Sequence, residues 1–218
     1  MRALSHLVSV LFHPLCIVTY VTLFLVYTNP YIFGFSNPKA QGLLLISVIS
    51  ITFMFPAIAI GLMKALGLIS SLQMPHIKER IAPLVTTGLF YLWLYINIKG
   101  NDVIPLALTF FIFGSTISIF VALLFNIFTK VSLHAIALGG FGMGMAFILF
   151  YFSQNDIILT LMHHHIILDQ RVVLFFVIFI AGLVGTARLY LGAHKPEDVY
   201  GGYLVGILSQ IVAFSILI

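Results

Sequence analysis

The stretch Arg188-Leu-Tyr-Leu-Gly-Ala-His194-Lys-Pro-Glu-Asp198-Val-Tyr-Gly-Gly202 lies between two long apolar runs, 172–187 and 199–218. It places an arginine, a histidine, a lysine and two acids close together in a chain of which only 7% is charged. Ionisable groups beside a bilayer cost free energy and often mark a functional site. Pro196 also suits the first position of a helix, and acids in a first turn are stabilised by the helix dipole.

Two interpretations of this stretch remain open from its residues alone. In the first, His194 and Asp198 lie one helical turn apart, so that the carboxylate holds the imidazole. His194 would then precede free backbone N–H groups, where anions bind. In the second, the acids only cap a helix and the basic residues only anchor it at the membrane surface.

The composition of the chain indicates a membrane protein. Of its 218 residues, 61% are hydrophobic, and the mean hydropathy is +1.17. A soluble domain of this size could not cover so much apolar surface with so few charges. The net charge of +4 is small and no basic tract is present, so no nucleic-acid partner is expected. Because Cys16 is the only cysteine, an internal disulfide and a cysteine metal cluster are excluded.

We predict an all-α fold, a polytopic transmembrane helical bundle of six or seven spans in a single integral membrane domain, 1–218. The first apolar run is too long for a signal peptide and is kept as a span, with a kink at Pro14. His6 and His13 in this run are expected to be packed or interfacial rather than catalytic. The seven candidate spans are about 4–27, 42–64, 81–98, 103–128, 132–152, 171–187 and 199–218.

Two further features of the chain have a structural interpretation. Glycines in the fifth span favour close packing of helices. The apolar segment Ile157–Leu168 would form roughly 18 Å of helix, too short to span, and is predicted to be an interfacial helix or a lead-in to span six. Its consecutive His163, His164 and His165 invite a metal, but adjacent residues on a helix point in different directions. We therefore predict no metal and no cofactor. The glycines of the fifth span are Gly139, Gly140, Gly142 and Gly144.

Three polar clusters are expected to meet on one side of the membrane. If seven spans alternate, the loops after spans two, four and six open on the same side. Each loop lies at the start of a helix, whose free N–H groups and dipole favour an anion, and phosphate is the natural ligand. The clusters are Lys78 with Arg80, then Lys130 with Ser132 and His134, and finally Arg188 with His194 and Asp198.

Two histidines at a phosphate site suggest a reaction as well as binding. One imidazole can attack phosphorus as a nucleophile, and the other can protonate the departing oxygen. Cationic side chains and backbone amides would stabilise the charge that builds up on the phosphoryl oxygens. With several cations in place, the reaction requires no metal.

At these residues the chain resembles the type 2 phosphatidic acid phosphatase superfamily, whose fold is shared with bacterial acid phosphatases and vanadium haloperoxidases. The third family motif is Ser-Arg-x5-His-x3-Asp, and Ala187-Arg188-x5-His194-x3-Asp198 matches all of it except the first serine. The second motif is Pro-Ser-Gly-His, and Val131-Ser132-Leu133-His134 keeps the serine and the histidine. The first motif is Lys-x6-Arg-Pro. If Arg80 is its arginine, the lysine position falls on Gln73, and Lys78 is a candidate substitute.

The resemblance implies a role for each matching residue. His194 is the expected nucleophile, Asp198 its partner and His134 the general acid. Arg188, Ser132, Lys78 and Arg80 are expected to bind the phosphoryl group, with Lys130 as a further candidate. The resemblance covers about 70–205, as an acid phosphatase/haloperoxidase-like core, and leaves the span at about 4–27 outside it.

The resulting hypothesis is an integral membrane phosphatase that acts on a lipid phosphate or lipid pyrophosphate. The bilayer and the lipid are its expected partners, and the sequence names no protein partner. Two alternatives remain: a transferase that passes the phosphoryl or head group to another lipid or sugar, and a catalytically inactive lipid-binding subunit of a membrane assembly. A bacterial inner membrane is the expected location. Lysine and arginine counts do not decide the orientation, and the resemblance favours a site facing away from the cytoplasm.

Overall fold

The computed structural model describes residues 2–34, 38–74, 76–153, 157–161 and 164–218. Seven helical segments are long and apolar enough to cross a membrane, which agrees with the prediction of six or seven spans. They are numbered here as spans one to seven in chain order. The spans are Arg2–Thr28, Lys39–Ala65, Ile77–Ile98, Leu106–Phe128, Leu133–Phe152, Gln170–Tyr190 and Pro196–Leu217.

Nine α-helices and two short strands build the described part of the chain. Short 3-10 segments at Pro14–Cys16, Pro30–Ile32 and Ile77–Arg80, and π-helical segments at Ser50–Met54 and Ile148–Phe152, adjoin the helices. The helices are α1 (Arg2–Leu11), α2 (Ile17–Thr28), α3 (Pro38–Ile49), α4 (Phe55–Ala65), α5 (Ile81–Ile98), α6 (Leu106–Phe128), α7 (Leu133–Phe147), α8 (Gln170–Tyr190) and α9 (Pro196–Leu217). The strands are β1 (Ile157–Leu161) and β2 (His164–Leu168).

Span one is broken near its start, as Pro14 predicts. Helix α1 ends at Leu11 and α2 begins at Ile17, with the 3-10 segment between them. Proline has no N–H to donate, and its ring clashes with the preceding turn of a helix, so an unbroken helix through this point is unfavourable. The break separates a short first helix from the rest of the span.

Residues 157–161 and 164–168 form a pair of antiparallel strands, and the prediction of an interfacial helix was wrong. Strands β1 and β2 pair antiparallel, from Ile157 opposite Leu168 to Leu161 opposite His164. Ile157 is 1% exposed and Ile167 is 68% exposed, so one face of the strand pair is buried and the other is open. β-Branched residues prefer strands, and this local preference outweighs the apolar length that suggested a helix. His163 lies outside the described residues.

Helix α6 lies at the centre of the bundle. Phe110 and Phe111 are fully or almost fully buried on it, and the helix packs against α5 and α9. Across the bundle, the ring of Phe147 on α7 stacks on that of Phe214 on α9, with centroids 4.0 Å apart. The aromatic rings of Phe110, Phe147 and Phe214 therefore pack α6, α7 and α9 against one another.

Glycines allow α7 and α9 to approach closely. A Cβ added at Gly206 would collide with the backbone of Ile136 and Gly140, and one at Gly139 would collide with the backbone of Tyr203. The packing role predicted for the glycines of span five is therefore confirmed at Gly139. By contrast, a Cβ at Gly142 would meet nothing within 4 Å. Small residues at such contacts let membrane helices pack backbone against backbone.

We predict that Gly206→Ala lowers the thermal unfolding midpoint of the protein in detergent, because the new methyl group must push α7 and α9 apart. Overpacking of this kind costs about 1–3 kcal/mol. The matched control is Gly201→Ala on the same helix, where an added Cβ meets nothing within 4 Å. Equal midpoints for the two variants would contradict the packing argument.

Candidate active site

The third motif spans the end of α8 and the start of α9. Arg188 lies in the last turn of α8, and α9 begins at Pro196, as predicted for that proline. Asp198 lies in the first turn of α9, and its Oδ2 accepts a hydrogen bond from the backbone N–H of Lys195 at 3.1 Å. The short connection between the two helices therefore holds His194 just ahead of a helix N-terminus.

His194 and Asp198 face each other, as the first of the two interpretations of this stretch requires. The distance between His194 Nδ1 and Asp198 Oδ2 is 3.4 Å, and the two side chains are 3% and 15% exposed. The pair does not have the geometry of a hydrogen bond, and Nδ1 has no hydrogen-bond partner among the described residues. The carboxylate therefore acts on the imidazole through its charge, and it favours a proton on Nδ1 and a free lone pair on Nε2.

The second motif forms the start of α7. Ser132 is fully buried, and its Oγ accepts a hydrogen bond from the N–H of Ala135 at 3.4 Å as the helix cap. Its own N–H donates to the carbonyl of Asp198 at 3.1 Å. Ser132 therefore joins the starts of α7 and α9, and its hydroxyl faces the amides of its own helix.

His134 lies two residues further along α7. Its Nε2 is 3.0 Å from the carbonyl oxygen of Ser9 in α1. Its ring also lies near that of His13, with centroids 5.5 Å apart and an angle of 85° between the rings. Span one, which the resemblance left outside the core, therefore supplies two neighbours of the second motif histidine.

Arg80 connects the first cluster to the second. It is 6% exposed, and it donates hydrogen bonds to the carbonyl groups of Met74 at 3.1 Å and Val131 at 3.2 Å. Lys78 is exposed and is not brought to the same place. The 3-10 segment has three residues per turn, so residues two apart in it point in different directions.

A cavity of about 570 Å³ is lined by four of the eight predicted site residues. Arg80, His134, Arg188 and His194 line it at the end near the loops, and Gln73 lines it as well. Gln73 is the position on which the family's lysine falls, so its place in the wall favours that alignment over Lys78. Ser132 and Lys78 are not among the lining residues.

The same cavity runs deep between the spans. Gln210 on α9 lines it, twelve residues beyond Asp198, which corresponds to roughly 18 Å of helix. Apolar side chains form most of the wall between the two ends. The cavity therefore has a cationic end at the loops and a long apolar part inside the bundle.

Lys130 lies on a different surface. It lines a groove of about 420 Å³ between α6 and α9, together with Glu197 and Asp198. Burial and the positive charges of Arg80 and Arg188 lower the pKa of Lys130, while Asp198 raises it. Lys130 therefore interacts electrostatically with residues of the cavity but does not line it.

The cationic end of the cavity is suited to an anion. Arg188 Nε is buried and has no hydrogen-bond partner among the described residues. Such a donor costs free energy unless a ligand or water accepts from it. Phosphate oxygens would satisfy it, and they would also offset the repulsion between Arg80 and Arg188.

His194 is neutral at physiological pH. Burial, followed by the positive charges of Arg188, Arg80 and Lys130, lowers its pKa to about 4, against a smaller opposing effect of Asp198. A neutral imidazole has the free lone pair that nucleophilic attack requires. In the part of the chain that the structure describes, no three His, Cys, Asp or Glu side chains lie close enough together to hold a metal ion. The side chains of the histidine run 163–165 are not described.

Sequence reasoning missed His13 and Ser9. His13 lines the cavity beside Arg188 and His194, although the sequence favoured a packed or interfacial role for it. The available signal was the pair His13-Pro14, where a polar residue stands at a helix break inside an apolar run. The contact between Ser9 and His134 joins residues 125 positions apart, and no local pattern predicts it.

We predict that NMR titration of histidine-labelled protein in detergent gives His194 a pKa near 4, with His194→Ala assigning the signal. Arg188→Gln should raise this pKa toward the ordinary 6.5, because the first of the three neighbouring charges is removed. Lys195→Gln is the control, since Lys195 is exposed and solvent screens its charge. A pKa near 6.5 in the parent protein would contradict this electrostatic account.

Comparison with known proteins identifies a family. Residues 121–217 match the family model of the PAP2 superfamily, and the matched segment contains the second and third motifs. No curated protein and no solved structure matches the chain. The C-terminal segment 121–217 of the chain therefore belongs to the PAP2 superfamily.

Proposed function

We propose that this protein is an integral membrane phosphatase that removes phosphate from a lipid phosphate or lipid pyrophosphate through a phosphohistidine. PAP2 membership and seven apolar helices indicate a phosphatase-type hydrolase in a membrane. The cavity is the observation that supports a lipid as the substrate. It is one continuous space with a cationic end at the loops and an apolar part between the spans. A phosphorylated headgroup and a hydrocarbon chain would match these two parts.

The chemistry follows from the positions of two histidines. Nε2 of neutral His194 would attack phosphorus, and the bond from phosphorus to the lipid oxygen would break. His134, which lines the same cavity, would give a proton to that oxygen. Water would then attack the phosphohistidine and release phosphate, and its proton would return to His134.

Arg188 and Arg80 would hold the phosphoryl oxygens during both steps. Arg188 is the stronger candidate for direct contact, because its Nε is buried without a partner among the described residues. Arg80 already donates to two backbone carbonyl groups. It would therefore act on the phosphoryl group mainly through its positive charge and less through its remaining N–H donors. These cations supply the charge that a metal provides in other phosphatases, and the proposed reaction is metal-independent.

Ser132, Lys78 and Lys130 have weaker support as direct phosphate ligands. Ser132 caps α7, Lys78 is exposed, and Lys130 lines the neighbouring groove. Lys130 would contribute its charge at longer range. The site would face away from the cytoplasm, as the family commonly does, and a bacterial inner membrane remains the proposed location.

We expect purified protein in liposomes to release inorganic phosphate from at least one member of a panel of lipid phosphates and pyrophosphates, with EDTA present. His194→Ala should abolish turnover because it removes the nucleophile. His134→Ala should lower kcat by roughly 10²–10⁴-fold because it removes the general acid. Phosphate release, measured with each substrate in turn, checks both effects.

The matched control is His6→Ala, since His6 is exposed on α1 and does not line the cavity. It should keep the parent's activity. A requirement for a divalent metal would refute the proposed mechanism. A folded parent protein without turnover on any substrate would instead favour the transferase or the inactive subunit.

A further inference from the structure

We propose that span one completes the active site. The carbonyl group of Ser9, freed by the helix break, fixes the tautomer of His134, and His13 donates a hydrogen bond from Nε2 to the phosphoryl group. This inference rests on the proposed function for its substrate, but the two donors, the rings of His134 and His13, belong to this chain.

The break in span one makes the carbonyl of Ser9 available. In an unbroken helix this carbonyl would accept the N–H of residue 13. His13 instead adopts an extended backbone conformation, with φ −65° and ψ 139°, and starts the 3-10 segment. The oxygen of Ser9 lies 3.0 Å from Nε2 of His134.

The contact with Ser9 decides which nitrogen of His134 exchanges a proton. A carbonyl oxygen only accepts hydrogen bonds, so Nε2 of His134 carries hydrogen in both the neutral and the protonated ring. Nδ1 is then the nitrogen that gains and loses the proton. The protonated ring can give its Nδ1 proton to the leaving lipid oxygen while Nε2–H stays on Ser9. Ser9 is therefore a positioning residue that acts through its backbone.

His13 offers a second donor at the same place. Its Nδ1 accepts the N–H of Leu15 at 3.4 Å, so the neutral ring carries its hydrogen on Nε2. No hydrogen-bond partner for Nε2 is found among the described residues. His13 lines the cavity with His134, Arg188 and His194, which leaves Nε2–H as the group it can present to a ligand.

The reaction balances without a proton from His13. His194 Nε2 forms the bond to phosphorus, the lipid oxygen keeps the electrons of the broken bond, and His134 supplies its proton. His13 stays neutral throughout and contributes one hydrogen bond to a phosphoryl oxygen. A hydrogen bond to a charged group is worth enough to change affinity by roughly tenfold to a hundredfold.

A role of His13 in the fold alone is the competing explanation, because its Nδ1 also caps the 3-10 segment. Two substitutions separate the two nitrogens. His13→Asn keeps a short acceptor for the N–H of Leu15 but loses the donor at the far side of the ring. His13→Gln keeps a donor at that reach but moves the acceptor away from the cap.

The test measures binding of inorganic phosphate by calorimetry in detergent, kcat/KM on the lipid panel, and the thermal unfolding midpoint. We expect His13→Asn to lose tenfold to a hundredfold in phosphate affinity and kcat/KM. His13→Gln should stay within severalfold of the parent. The same two substitutions at exposed His6 are the matched controls and should change nothing.

Two results would overturn the role of His13. The first is parent-like phosphate affinity in His13→Asn. The second is an equal loss in both variants with a lower unfolding midpoint, which would assign His13 to folding alone. Because phosphate binding needs no turnover, a parent that binds phosphate but hydrolyses no lipid would contradict the proposed function without affecting this comparison.

The role of Ser9 is tested separately, by measuring which ring nitrogen of His134 carries hydrogen. Two-bond ¹⁵N–¹H correlation spectra distinguish a histidine that carries hydrogen on Nε2 from one that carries it on Nδ1, and His134→Ala assigns the signals. We expect neutral His134 to be a single Nε2–H tautomer. A mixture of tautomers, or hydrogen on Nδ1, would show that the carbonyl of Ser9 does not fix the ring.

Discussion

The close contact between α7 and α9 is the constraint on which the rest of the site depends. The N–H of Ser132 donates to the carbonyl of Asp198 at 3.1 Å, so the starts of the two helices are joined backbone to backbone. Below this bond, a Cβ at Gly202 would lie 2.8 Å from that of Ala135. The two motif histidines lie at these joined helix starts, and their separation is therefore set by backbone contacts rather than by flexible side chains.

The two buried arginines have different tasks because they have different partners. Arg80 donates to carbonyl groups from the loop before span three and from the second motif, and so it holds two parts of the wall together. Arg188 has a buried Nε without a partner among the described residues. Burial is the main reason why the pKa of His194 is low, and the two nearby guanidinium groups lower it further because they repel a third positive charge. The same charges attract a phosphate. One arrangement of arginines therefore keeps the imidazole neutral and favours binding of the phosphate beside it.

Local signals in the sequence were sufficient to predict the spans and the start of α9. Apolar runs predicted seven segments, and Pro196 with its following acids predicted the start of α9. The two strands at 157–161 and 164–168 were missed because apolar length was weighed above the strand preference of β-branched residues. Lys78 was offered as a substitute for the lysine of the first motif because of its charge. The direction of each side chain depends on the turn that carries it, and Gln73 lines the cavity whereas Lys78 does not.

The contribution of span one could not be predicted, because it depends on tertiary structure. Nothing in the sequence near His134 indicates that its ring meets a carbonyl group 125 residues earlier. The helix break at Pro14 can be predicted locally, but the contact that it makes possible, between Ser9 and His134, joins residues far apart in the chain.

A helix break leaves backbone carbonyl groups without their usual partners, and in a membrane such groups must find others. The hydroxyl of Tyr20 donates to the carbonyl of Leu11 at 2.6 Å, and His134 donates to that of Ser9. The need to satisfy the broken backbone thus explains why a histidine of the site is held by the first span.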